Sequence, residues 1–548
     1  MGIDLAAVSG TSISLDAAGD LVVGEAVADE DVTFLAGGAA RFDNVSAGGQ
    51  LSGSAATLDL AAADAAAINL AATSGGALLG TLVGATSLTV SATDDVSFDT
   101  LTGGAIAVTS FGGAITGTTA NGTSILFDAA QTAALAGEIA AGQIAIISRD
   151  IDIGPEARLG DANTQLIELT VRQSGQQATI GGDAQGPGYT LTNDEAGRIR
   201  TASLEITAPR IGGALDRPPD LVVRDLSLNG TPAPNGAGVN NLLIAIVAGE
   251  GGDADAAAAA DPGFGTALTN GGIMSVEGAV ALNNATTGGG ITLSAPNGRI
   301  QIINPQGSTR VRDANGLPTG TVAIEADDIW SASQEIIDQL IENPNFAGRN
   351  EALLTSDGDA EERGYIEAGD VLLRVGSTLF VQNSGTEEEF AGITVTQNTL
   401  TIQPTSGQVD VYAFGRRINP DGTFVTNSEY FGEVDFGYGT SAYASTAEFN
   451  QCVIATGICP GGPPVEPPVE EPPIPGGPEI IEGPIEEVED SVPPPNPDRQ
   501  EFVDVSFASE SLIEEPVTSG GDSGVWDGVD EQCAAGEGET CERDGGGQ

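Results

Sequence analysis

Leu88-Thr-Val90, Ile106-Ala-Val108 and Ile125-Leu-Phe127 are apolar triplets recurring at intervals of 18 and 19 residues, with Gly, Thr, Ser, Asn and Asp between them. An apolar-x-apolar triplet places two side chains on one face of a strand, and a glycine-rich spacer turns the chain before the next face begins. A period of about 20 residues is too short for two packed helices and too long for one hairpin strand, but it fits one coil of a parallel sheet. The expected fold is therefore all-β, a parallel β-solenoid whose coils stack at roughly 4.8 Å and align like residues into inward-facing columns.

The period runs almost from the start, since Ile13-Ser-Leu15 and Val32-Thr-Phe34 stand 19 apart. Ala61–Ala67 has helical propensity, yet Leu58-Asp-Leu60 and Ile68-Asn-Leu70 flank it at strand spacing, so it reads as a coil. Leu204-Glu-Ile206, Leu226-Ser-Leu228 and Ile244-Ala-Ile246 continue less regularly, and the last two are read as successive coils because they are again 18 apart. Residues 249–272 read as a loop leaving the stack, which Ile291-Thr-Leu293, Ile300-Gln-Ile302 and Val322-Ala-Ile324 resume.

Composition limits what such a stack can do. Aromatics are 4% of 548 residues and Gly numbers 77, so the core must be built from small aliphatic side chains. Lys+Arg 19 against Asp+Glu 78 gives a formal charge of −59, and every basic residue is an arginine. Nucleic acid and anionic membrane surfaces are excluded as partners on that balance. The acidity reads first as solubility for long exposed sheet surfaces. Calcium-roll nonapeptides and Asp-x-Asp-x-Asp-Gly loops are absent, with Asp357-Gly-Asp359 as the nearest approach, so no metal or other cofactor is expected. No apolar stretch is long enough to span a membrane.

At Asp327 the texture changes. Ser331-Ala-Ser-Gln334 reads as a capping box, followed by Ile336, Ile337, Leu340 and Ile341 on one helical face and a stop at Asn343-Pro344. Strand triplets then return at Val371-Leu-Leu373, Leu379-Phe-Val381, Ile393-Thr-Val395, Leu400-Thr-Ile402 and Val409-Asp-Val411. Residues 412–449 concentrate aromatics that would close the end of the stack. Tyr412, Phe414, Tyr430 and Tyr438 among them could alternatively stack on carbohydrate. Residues 460–497 hold fourteen of the 29 prolines interleaved with Glu, a polyproline-II-like spacer that cannot bury a core. All four cysteines, Cys452, Cys459, Cys533 and Cys541, fall after residue 450; with no histidine in the chain, two local disulfides and an oxidising compartment are expected. The resulting domain plan is 1–325 solenoid coils, 326–362 helical insert, 363–459 final coils and aromatic cap, 460–500 disordered linker, and 501–548 acidic tail with the terminal cysteine pair.

The regular coils, the Asp327-Asp-Ile-Trp-Ser-Ala-Ser-Gln334 helix entry, the return through Gly364-Tyr-Ile-Glu-Ala-Gly-Asp370 and the late cysteines together resemble the C-terminal portion of filamentous-haemagglutinin-like exoproteins of two-partner secretion. The likeness covers about residues 1–460 and rests on texture rather than on catalytic signatures. It implies a right-handed parallel β-helix, an outer-membrane barrel transporter as partner, and display outside a Gram-negative-type cell as an adhesin that meets a host or bacterial surface through glycan or protein. The family's Asn-Pro-Asn-Gly secretion motif is not matched, Asn304-Pro-Gln-Gly307 being similar only as a turn. With no secretory signal at Met1 and coil-like sequence from the start, the chain is expected to be the C-terminal part of a longer protein.

Enzymes also use β-helices, and polysaccharide binding or degradation is the alternative function. Acid–base work on a sugar needs two carboxylates at a set separation. Asp327 and Asp328 are neighbours, which on a strand face opposite ways. The absence of histidine and lysine removes the usual bases and excludes a Ser-His-Asp or Cys-His nucleophile. Arg416-Arg417 reads as a solvated loop. A non-enzymatic structural and adhesion role is the expectation.

Overall fold

The computed structural model describes residues 1–172, 175–183, 188–211, 218–230, 238–247, 271–285, 288–304, 306–342 and 365–381, together with short strands between 393 and 435. The chain divides into two units, Met1–Pro468 and Val469–Gln548, and every described residue belongs to the first. The described part is almost entirely β, with strand-to-strand pairings that are all parallel, in one 28-stranded and one 6-stranded sheet.

Three ladders organise those strands, and the chain visits them in constant order. The first runs through Ile3, Leu21, Ala40, Leu58, Ala77, Val96, Ile115, Ala133 and Ile151, each the register partner of the next. The second runs through Val8, Ala26, Val45, Ala63, Leu82, Leu101, Ala120, Ile139 and Leu159. The third begins Ile13, Val32, Leu51, Ile68, Leu88, Ile106, Ile125, Ile144 and continues as far as Leu400 and Val434. After residue 200 the order persists while coils lengthen. Leu221, Met274, Ile300, Ile329 and Leu379 carry the first ladder, and Leu226, Val280, Thr309, Ile366 and Ile393 form the second as the six-stranded sheet.

Alternation makes this possible. Val32–Ala36 buries residues 32, 34 and 36 and exposes Thr33 and Leu35, and the inward residues of all three ladders belong to one hydrophobic cluster. Parallel in-register stacking places each side chain over its counterpart in the next coil, and at two rings that counterpart is glycine. Phe34 is the register partner of Gly53, and Phe98 of Gly117; an added Cβ at Gly53 or Gly117 would lie 2.2 or 2.0 Å from the ring. Phe34 and Phe42 pack at 4.8 Å between ring centroids.

Several sequence readings change. Leu226 and Ile244 are not successive members of one column, because Leu226 stands over Val280 on the second ladder whereas Ile244 pairs Ile206 and Leu293 on the third. Their interval of 18 spans adjoining faces of one coil, since longer loops have broken the link between period and ladder. The helix begins at Gln334, directly after the strand Thr321–Ser333, so Ser331 is a strand residue rather than a cap. The helix ends at Glu342, with Ile336, Ile337 and Leu340 buried in the core cluster. A short helix at Asn193–Ala196 was not legible beforehand. Thr192 caps it, exchanging bonds with Glu195 in a capping box. Arg416 and Arg417 lie in the strand Gly415–Arg417 rather than in a loop.

Ile106→Asp is expected to cost several kcal/mol by burying an unpaired carboxylate in the 2%-exposed position, whereas the outward-facing Thr102 accepts Asp within about 0.5 kcal/mol. Denaturant melts of the two variants check the ladder phase, which is wrong if they match.

Candidate functional site

The corners between ladders carry a recurring device. Asp20 Oδ1 accepts the backbone N–H of Ala39 at 3.0 Å, Asp31 Oδ1 that of Gln50 at 2.7 Å, and Asp95 Oδ1 that of Ala114 at 2.8 Å, each in the following coil. Asp220 and Asp225 do the same to Ile273 and Ala279 across a much longer coil. The residue before each receiving amide is glycine. A Cβ on Gly49 or Gly113 would stand 2.3 Å from the carboxylate oxygen it faces. An aspartate thus projects over a glycine slot and accepts the amide next to the corner, as an N-cap does for the first turn of a helix. Part of the acidity of this chain is therefore structural.

The device departs from its pattern at Asp150, where the next coil offers Tyr189-Thr190 instead of Gly-x. Asp150 Oδ1 accepts both the N–H and the hydroxyl of Thr190, at 2.9 and 3.1 Å. Strand Thr190–Leu191 pairs upward with Ala178–Ile180, although it follows that strand in sequence, so stacking order is locally reversed. The edge of Asp150–Ile153 is completed by side chains. Glu195 accepts the Ile153 N–H at 3.1 Å and Arg198 donates to the Ile153 carbonyl. Beside this join opens a cleft of about 480 Å³, lined by Asp150, Asp152, Asp194, Glu195 and Arg198 with Thr132, Thr190 and Thr192. Tyr189 lies fully buried below with an unpartnered hydroxyl, and burial, helped by Asp150 and Glu195, holds its phenol far above the ordinary range. The cleft can receive a hydroxylated or cationic group; among the described residues no set of three or more His, Cys, Asp or Glu is arranged to hold a metal ion.

A second polar cluster occupies the outer face of the later first ladder, where Ser275, Gln301, Trp330 and Phe380 are successive register partners. All four are at most 6% exposed although they face away from the core columns of Ile300 and Ile329. Arg299 stacks 4.1 Å over Trp330, and burial pulls its guanidinium below the usual range against the opposing charge of Asp328. Asp327 is raised by burial. On the second ladder Arg312 meets the buried Glu367 through Nε at 3.0 Å.

Of the residues singled out from sequence, Tyr412 lies in the strand Asp410–Tyr412 over Phe380. Phe414, Tyr430, Tyr438, Cys452, Cys459, Cys533, Cys541 and the Asp357-Gly-Asp359 turn lie outside the described residues. The cleft residues were missed because they come from segments 40 residues apart; the corner brackets were not, in principle, hidden, since Asp20/Gly38, Asp31/Gly49 and Asp95/Gly113 all stand 18 apart. No family model, curated protein or solved structure matches the chain.

Asp31→Ala is expected to lower stability by about 1 kcal/mol, the scale of a lost N-cap, and Gly49→Ala to cost more by closing the slot against the carboxylate. Combining the two should cost less than their sum, a coupling that equilibrium melts of the four proteins can measure.

Glu168 and Glu205 are stacked register partners, and Glu205 is pushed up by burial first and by Glu168 second. A carboxyl whose folded-state value is raised destabilises the fold above that value and ceases to do so below its unfolded value of about 4.3. Glu205→Gln should therefore raise the melting midpoint at neutral pH by about 1–2 °C, the gain vanishing near pH 4 and shrinking in about 0.5 M salt.

Proposed function

We propose that the chain is a right-handed β-helical stalk, closed around the shared core, that serves as a secreted or surface-displayed adhesion protein. The observation that carries this reading is the three-ladder parallel stack sustained from Ile3 to Asp435, with side chains spent on holding one coil to the next. A parallel stack of this length is a spacer: it holds whatever lies beyond it away from its anchor and offers long faces for contact. Export through an outer-membrane barrel suits such a chain. It carries no cysteine before Cys452, so no long-range disulfide would hinder passage of residues 1–451 in extended form. We propose for the cysteine pair Cys533 and Cys541 a role in retaining the protein at the pore, the alternative being that only Cys452 and Cys459 matter and the last pair is incidental.

The alternative, a polysaccharide-binding or polysaccharide-degrading β-helix, is favoured by one feature, the carboxylate-lined cleft at Asp150, Asp152, Asp194 and Glu195. Incubating the purified protein with acidic and neutral polysaccharides, and measuring binding and new reducing ends, separates the readings. Depolymerisation lost in Asp152→Asn or Asp194→Asn would replace the stalk reading with an enzyme. Attachment of cells or beads by a protein that leaves the polymers intact supports the adhesin.

Retention gives a further expected outcome. In cells displaying the protein, Cys533→Ser should shift it from the surface-bound to the released fraction, while Cys452→Ser leaves the distribution unchanged. Equal release of both variants, or of neither, removes the anchoring role of the terminal loop.

A further inference from the structure

The side-chain-to-backbone bonds that tie coil to coil in the regular part of the stack have a polarity. In every corner bracket the carboxylate belongs to the earlier coil and the amide to the later one: Asp20 to Ala39, Asp31 to Gln50, Asp95 to Ala114, Asp150 to Thr190, Asp220 to Ile273 and Asp225 to Ala279. Threonine hydroxyls bonded to the backbone run in the same sense. Thr33, Thr73, Thr86, Thr93, Thr123 and Thr164 each donate from the later coil to a backbone carbonyl of the earlier one. Among the described residues three side-chain-to-backbone bonds between coils run the other way: Glu195 accepting from Ile153, Gln177 donating to Pro219 and Asn193 donating to Asp225. All three fall between residues 150 and 225, where stacking order is irregular, and none in the regular coils before them. Toward the backbone, side-chain bonds of the regular coils thus run from a donor in the later coil to an acceptor in the earlier one, whereas the side-chain pairs Ser12–Glu30, Arg224–Glu277 and Arg312–Glu367 have their donor in the earlier coil.

We propose that these corner carboxylates give the stack a direction of growth, each finished coil templating the one that follows it. The physical reason lies in what a half-built stack exposes. A stack grown from its N-terminal side ends in a face whose corners carry ionised, hydrated aspartates, and charge on an open sheet edge opposes pairing with another chain. The arriving coil brings a glycine slot and an amide that displace that water, completing a charge-assisted bond. A stack grown from the opposite side would end in corner amides and threonine hydroxyls, donors with no charge to repel a stray strand. An unbiased repeat array nucleates anywhere and spreads both ways; this one is biased to spread from N to C. The inference rests on the hydrogen bonds alone and is independent of how the protein is exported or what it binds.

Refolding of the full-length protein under pulsed hydrogen exchange, read peptide by peptide, tests it. In Asp95→Ala, strands from Ile115 onward should gain protection about fivefold later than in the unaltered protein, while strands before Asp95 keep their rate. Asp31→Ala should move the boundary to Gln50. Asp95→Asn, which keeps an acceptor but removes the charge, provides the reading if the alanine variant does not refold, with a smaller delay on the same side. Val108→Ala, a core truncation of the same region without a bracket, is the control and should slow both sides alike. Delay confined to the N-terminal side, equal delay on both sides in the aspartate variants, or no delay at all would each overturn the proposal.

Discussion

Each coil of this chain closes its backbone hydrogen bonds on the coils before and after it, parallel and in register, so every residue must tolerate its counterpart one coil away at roughly 4.8 Å. The rest of the structure follows from that constraint. Interior columns are filled by Val, Ile, Leu and Ala because four branched side chains in a column pack and four aromatic rings do not. Glycine stands over two of the inward rings, Gly53 over Phe34 and Gly117 over Phe98, while Leu60 stands over Phe42 and Ile146 over Phe127. Beside the corners, amides of the following coil are met by aspartate over glycine.

Stacking like on like also decides how the charge is carried. Carboxylates stacked directly over carboxylates one coil apart are unfavourable at this distance. The chain avoids most such meetings by alternation. Asp59 lies beside Arg41, Glu325 beneath Arg374, and the corner aspartates spend their charge on backbone amides instead of on one another. Glu168 over Glu205 is a remaining direct meeting, and it shows in the raised carboxyl of Glu205.

The later coils depart from the simple stack in a different way. Their outward residues Ser275, Gln301 and Trp330 are buried, so this sheet has apolar or polar cover on both faces and the alternation of inside and outside no longer maps onto core and solvent. Arg299 and Asp328 can then sit side by side in a water-poor setting that the early coils never provide, and Arg312 with Glu367 does the same on the neighbouring ladder. The cleft at Asp150 lies at the transition between the two regimes, where the reversed placement of Thr190–Leu191 interrupts the regular ladder.

Sequence alone determined the periodic part: apolar triplets 18 or 19 residues apart fix the alternation of faces, and a constant period fixes which triplet lies over which, because both are local properties of a strand and its spacer. Leu88, Ile106 and Ile125 were legible as one column for that reason, and so was the apolar face of the helix at Gln334–Glu342. Tertiary structure alone decided what came after the period lengthened. Ile244 could be told from Leu226 as a member of another ladder only once the path between them was known, since an interval of 18 counts residues and not corners turned. The cleft, the buried Arg299–Trp330 stack and the reversed strand order each bring together residues from different coils. Their burial depends on what covers a strand's outer face, a quantity that no stretch of sequence carries by itself.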